Sequence, residues 1–117
     1  MRFNPSISDV ITLTAESSGV TVDEIKGPRR FQSFVDARSI ICRLAIDTLG
    51  FSASSVGRSL GGRDHRTIAN VLGRWSSRFE DDAEFASVHS RTVNSLVERI
   101  LASRTDVSHD IDRSAPV

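Results

Sequence analysis

A single cysteine, no long hydrophobic run and no metal-binding or nucleophilic cluster leave few chemistries open to this 117-residue chain. Cys42 has no second cysteine to pair with, which excludes an internal disulfide and fits a reducing cytoplasm. No apolar stretch approaches the ~20 residues that a membrane span requires, so no membrane partner is expected. The opening "MRFNPSISDV" lacks the long apolar segment of a secretory signal. Three histidines and one cysteine show no zinc spacing, and no metal or cofactor is expected. Asp64-His65 has no nucleophile partner that would complete a hydrolase, so the expectation is a protein without catalysis. Strand alternation, internal repeats and low-complexity tracts are also missing.

What is present is ordinary globular composition, 38% hydrophobic and 26% charged, enough for one domain with a modest core. The formal net charge is zero, but its distribution is not even. Residues 1–25 carry −3 and residues 79–117 carry −4. Residues 26–78 carry +7, with ten basic side chains against Asp36, Asp47 and Asp64. A basic centre between acidic flanks steers a polyanion more than the total suggests.

The periodicity is helical throughout, and the fold class is all-α. Ile7, Val10, Ile11 and Leu13 mark a first helix, with Ser8 as its expected cap and Gly19 as its stop. Thr21 and Glu24 have capping-box spacing for a short second helix. Gly27-Pro28 breaks the chain, and "RRFQSF" reads as a basic loop. The longest pattern runs from Val35 to Leu49, a central core helix ended by Gly50, with Cys42 as a small core residue. Ser52 caps the next helix, which points Val56 and Leu60 inward. Gly61-Gly62 makes a tight turn, and another helix begins near Arg63 or Asp64 with Ile68, Val71, Leu72 and Trp75 on one side. Trp75 reads as core rather than a base-stacking platform. After "EDDAEF", read as a break, a last helix spans about Ala83 to Ala102. The expected domain is 1–102, and residues 103–117 read as a disordered tail.

Two short helices joined by a glycine turn, each with one apolar face, match a helix-turn-helix. Its second helix holds Ile68, Val71, Leu72 and Trp75 toward the core and leaves Asp64, His65, Arg66, Thr67, Asn70 and Arg74 outward. Taken singly, each has a plainer explanation. Asp64 is a good cap, His65 a common surface residue, and the glycines suit positive φ. Together, at a helix N-terminus, they offer donors, acceptors and a methyl group to base edges, beside backbone N–H groups that suit phosphate.

"GGRDH" followed by Thr67 resembles the signature of the C-terminal DNA-binding domain of the bacterial replication initiator DnaA, whose pattern runs GGRDHTTV. The resemblance covers about residues 5–102, including "VDEIKG" and "ARSIICRLAIDTLGFSASSVGRSLGGRDHRTIANVL". It implies a small helical fold with a helix-turn-helix of the Trp repressor type, and double-stranded DNA as the partner. It further implies that Arg63, Asp64, His65 and Thr67 lie at the major-groove surface, with Arg66 and Asn70 on the same face. Arg30 matches the arginine that enters the adjacent minor groove, and Arg38 the one that grips phosphate.

The chain departs from the family where Arg66 replaces threonine, where Asp36-Ala37 replaces a basic residue and proline, and where Gln32 sits in a loop that is often basic. Asp36 is therefore expected to face the DNA backbone region. It also lacks the phosphate-binding loop G-x-x-x-x-G-K-[ST] of the initiator's ATPase. The expected role is sequence-specific binding at DnaA-box-like sites, in replication initiation or transcription, in competition or interaction with the initiator. The protein is expected to be cytoplasmic, at the nucleoid, as a monomer or weak dimer. The alternative is a protein-interaction module that kept the fold and lost specific DNA binding. That alternative predicts no continuous basic face linking Arg30, Arg38 and the Asp64–Thr67 turn.

Overall fold

A computed structural model describes residues 5–114, with side chains to residue 102. Seven α-helices follow one another there without a strand among the described residues: α1 (Ile7–Ser18), α2 (Val22–Lys26), α3 (Gln32–Cys42), α4 (Ala53–Ser59), α5 (His65–Gly73), α6 (Trp75–Asp81) and α7 (Ala83–Ser114). None is long and apolar enough to cross a membrane.

Side-chain caps fix where most of these helices start. Ser6, rather than the expected Ser8, caps α1: its hydroxyl accepts from the Asp9 N–H at 3.1 Å while the Asp9 carboxylate accepts from the Ser6 N–H. The reciprocal box begins ahead of the apolar pattern, because a cap precedes the first inward residue. Gly19 ends α1 with φ 74°. Thr21 and Glu24 form the expected box on α2. Ser52 caps α4 through the Ser55 N–H.

The long central helix starts earlier than Val35. Gln32, Ser33 and Phe34, which the sequence alone assigns to a loop, form the first turn of α3, and Phe34 is buried. An aromatic among polar residues carries no clear period over so short a stretch. At its other end α3 widens into a π-helical segment, Arg43–Thr48, where the Leu49 N–H reaches back five residues to the Leu44 carbonyl at 3.0 Å. Gly50 (φ 79°) then turns the chain.

The core lies where α1, α3, α4, α5 and α7 meet. Val10, Ile11, Ile25, Ala37, Ile40, Ile41, Leu44, Val56, Leu60, Ile68 and Phe85 are all at most 3% exposed. Burial of the larger of these side chains contributes roughly 1.5–3 kcal/mol each. Cys42 is fully buried, and desolvation pushes its thiol up to about 12, which leaves it an inert core residue.

Three further boundaries depart from the sequence expectation. The chain turns sharply at Gly73–Arg74, where the Arg74 N–H bonds three residues back to Val71. Trp75 therefore opens α6 instead of extending α5. It is half-buried, stacked on Phe79 at 4.8 Å, edge-on to His89 at 5.1 Å and covered by the Arg43 guanidinium. The acidic "EDDAEF" is helical except at Asp82, whose carboxylate accepts from the Phe85 N–H and so starts α7. Helix α7 then continues through Ser114, past the Ala102 boundary. Residues 103–114 lack apolar periodicity, yet they contain no glycine or proline to stop a helix. The last three residues of the tail lie outside the described residues.

Candidate nucleic-acid interface

The turn between α4 and α5 is built on glycine geometry. The Gly57 carbonyl accepts three N–H groups in succession, from Leu60 (3.2 Å), Gly62 (3.1 Å) and Arg63 (2.8 Å). So close an approach leaves no room for a side chain, and a Cβ on Gly57 would overlap the Arg63 carbonyl oxygen. Gly61 and Gly62 both have positive φ, 81° and 82°. Gly61 also lies against the Lys26 carbonyl at the end of α2. Helix α5 is thereby seated on both α4 and the basic loop.

Asp64 caps α5. Its Oδ1 accepts from the Thr67 N–H at 2.8 Å. That bond, with a second from the Thr67 side chain, holds the carboxyl below the ordinary carboxylate range, so Asp64 is charged at neutral pH. His65, Arg66, Thr67 and Asn70 follow, all exposed, while Ile68 is fully buried. The exposure of these four side chains matches the sequence expectation, while Arg74 lies just past the end of α5.

The three arginines outside α5 sit differently from one another. Arg30 is exposed on the loop between α2 and α3. Arg63 is half-buried: it donates to the Gly27 carbonyl at 2.7 Å, to Lys26 at 3.5 Å and to the Leu60 carbonyl. Arg38 departs most from the phosphate-gripping position that the resemblance implies. It is 4% exposed and donates to the carbonyls of Ile25 (2.7 Å), Glu24 (3.0 Å), Gly27 (2.9 Å) and Arg29 (2.8 Å). The C-terminus of a short helix has unsatisfied carbonyls, and a guanidinium is well suited to collect them. Arg38 is a scaffold for the loop that carries Arg30. Burial comes first among the causes that push both Arg38 and Arg63 below the usual arginine value. The Arg30 charge contributes to both shifts, so the three cations share one region of field.

Asp36 is paired within the protein. It receives a fork from Arg78, Nε at 3.0 Å and Nη2 at 2.7 Å, and a bond from the Gln32 amide at 2.7 Å. Arg78 also reaches Asp82 at 3.1 Å. The acidic departure in the sequence is thus neutralised within the protein.

A cleft of about 870 Å³ runs between the basic loop and the reading helix. Arg30, Arg38, Arg63, Thr67, Arg74 and Arg78 are among the residues that line it. Five arginines and Asp36 line this cleft, which takes in Thr67 but not Asp64, His65 or Arg66. Sequence reasoning misses Arg78, because its placement depends on the break at Arg74 that rotates α6. Its only sequence signal is the four-residue step from Arg74.

The chain matches the family model described as "Bacterial dnaA protein helix-turn-helix" over residues 7–73. Among curated relatives, the chromosomal replication initiator protein DnaA of Streptococcus pyogenes serotype M4 (strain MGAS10750) is 29% identical over 92 residues, 79% of this chain and 20% of that protein. The protein of the same name from Mycoplasma capricolum subsp. capricolum is 28% identical over 96 residues, 82% of this chain and 20% of that one. That from Leifsonia xyli subsp. xyli is 39% identical over 61 residues, 52% and 13% of the two chains. The chain therefore spans about a fifth of the length of the first relatives it matches.

Proposed function

The chain belongs to the bacterial DnaA helix-turn-helix family, and on that footing we propose that it binds double-stranded DNA sequence-specifically at DnaA-box-like sites, without catalysis. In this reading the first turns of α5 enter the major groove and present Asp64, His65, Arg66, Thr67 and Asn70 to base edges. Arg30 enters the adjacent minor groove, and the sugar-phosphate strand between the two grooves follows the cleft. Arg63 contributes positive potential at the cleft wall, while Arg38 acts by holding the Arg30 loop. Phosphate contacts set register and salt sensitivity, and base contacts set sequence choice.

The observation that carries this reading is the cleft itself, because one concave basic surface joins Arg30 to Thr67 and Arg74. A domain of this kind acts at the nucleoid, in the cytoplasm, by occupying sites that the replication initiator also recognises or by regulating transcription from them. Gel-shift titrations at ~150 mM salt, where non-specific attraction is weakened, test it directly. Duplexes containing a DnaA-box-like sequence are expected to bind at least ~100-fold more tightly than scrambled duplexes, since specific complexes typically exceed non-specific ones by about 10³ or more. Equal binding to both would remove the specificity.

A further inference from the structure

We propose that Arg66 makes this domain a reader of guanine at the first turn of its recognition helix, a deepening that rests on the DNA-binding reading above. At about 100° per residue, Arg66 and Asn70 fall within about 20° of directly opposite the buried Ile68. Thr67 and Arg74 turn instead toward the cleft that they line. The side chain at the middle of the outward face is therefore Arg66, one turn above Asn70.

Two physical features bear on Arg66. Arg38, Arg43, Arg58, Arg63, Arg78 and Arg91 all donate to acceptors within the protein. The Arg66 guanidinium, like those of Arg29, Arg30 and Arg74, is exposed and has no hydrogen bond or ion pair among the described residues. It also occupies the second position of α5, in the first turn, where the helix dipole disfavours a cation. The neighbouring Asp64 carboxylate is engaged with the Thr67 N–H. Helix stability does not call for an arginine here.

A guanidinium fork matches the O6 and N7 acceptors of guanine, whereas the thymine methyl offers it nothing to bond. With Asn70 at i+4, suited to adenine N6 and N7, the centre of α5 reads a purine-bearing edge. The same fork also fits two phosphate oxygens, a contact blind to sequence, and the two outcomes separate cleanly by experiment.

The test selects bound duplexes from a random pool with the wild-type protein and with R66T. Guanine-bearing and thymine-substituted versions of the selected site are then titrated against both proteins at several salt concentrations. Wild type is expected to enrich one guanine that R66T does not, with every other position of the site unchanged. Replacing that guanine by thymine is expected to weaken wild type about 5- to 150-fold and R66T by little. Melting of the two proteins is expected to coincide. A consensus identical for both proteins would overturn the assignment. So would a uniform loss across all duplexes in R66T with the salt slope reduced by about 1, the signature of a phosphate contact. No consensus from the wild type would overturn the specific-binding reading itself, and this assignment with it.

Discussion

Arg38 and Arg63, twenty-five positions apart in the chain, donate to the same acceptor, the carbonyl oxygen of Gly27, at 2.9 and 2.7 Å. One comes from the central helix and the other from the helix-turn-helix turn, so a single backbone oxygen ties the basic loop to the reading helix. The spacing between Arg30 and the first turn of α5 is set by this junction, before any DNA is present.

Removing the Arg38 side chain leaves the carbonyls of Ile25, Glu24, Gly27 and Arg29 without this donor. Arg38→Ala is expected to destabilise the domain by roughly 2–4 kcal/mol, since each lost charged hydrogen bond with a buried acceptor costs about 1–3 kcal/mol and the losses are not additive. Arg30→Ala is expected to behave in the opposite way. Its denaturation curve should match wild type, while its DNA affinity falls and the salt slope drops by about 1. Urea denaturation and salt titrations on the two variants check the contrast. An unchanged denaturation midpoint for Arg38→Ala would refute its scaffold role.

The glycines separate in the same manner. Gly57→Ala places a methyl group on the Arg63 carbonyl oxygen and should cost about 1–3 kcal/mol, with DNA binding lost in proportion to the displacement of α5. Gly73 has no positive φ, and nothing stands within 4 Å of the place its Cβ would take. Gly73→Ala should therefore stabilise the domain by about 0.4–1 kcal/mol. Thermal melts that rank the two variants the other way round would contradict the turn geometry.

The helical class, the caps at Thr21 and Ser52, the glycine turn and the outward face of α5 are all legible from spacing, because each is decided within about four residues. The start of α3, the break at Arg74 and the course of α7 are not. Phe34 joins the helix because the core receives it, and Trp75 opens a new helix because α6 packs its face on His89. Tertiary packing decides both. The roles of Arg38 and Asp36 are hidden for a related reason. The Arg38 acceptors lie 9 to 14 residues away and the Arg78 fork on Asp36 lies 42 away, beyond the reach of any local pattern.

His89 supplies a pH dependence. Burial, then the Arg43 charge, holds its pKa below the ordinary 6.5, and its Nε2 is buried without a partner. The neutral form is therefore favoured in the folded state. Its contribution to stability is fully present above the unfolded value near 6.5 and is lost as pH falls through the lower folded value. Stability is expected to decline on acidification below about pH 6.5, and His89→Gln, which cannot gain a proton, should flatten that decline. Denaturant midpoints across about pH 5–8 for both proteins check it; parallel curves would show that His89 is not the group responsible.

The pairing of Asp36 with Arg78 bears on affinity rather than stability. Asp36 lines the cleft and engages the Arg78 fork that a phosphate oxygen would otherwise receive. Asp36→Asn removes an anion from the path of the strand and weakens the hold on a cation that already faces it. The exchange costs the fold little, because the pair is partly exposed, at 29% and 20%, and solvent screens it. DNA affinity is expected to rise several-fold at ~150 mM salt, with a steeper salt slope by up to about 1, the increment for one added phosphate contact. The gain should be the same on specific and scrambled duplexes, because Arg78 lines the cleft and lies outside the turns of α5 that we propose face base edges. A gain confined to one sequence would instead place Asp36 in base readout, and no gain at all would mean that the strand does not run along this cleft.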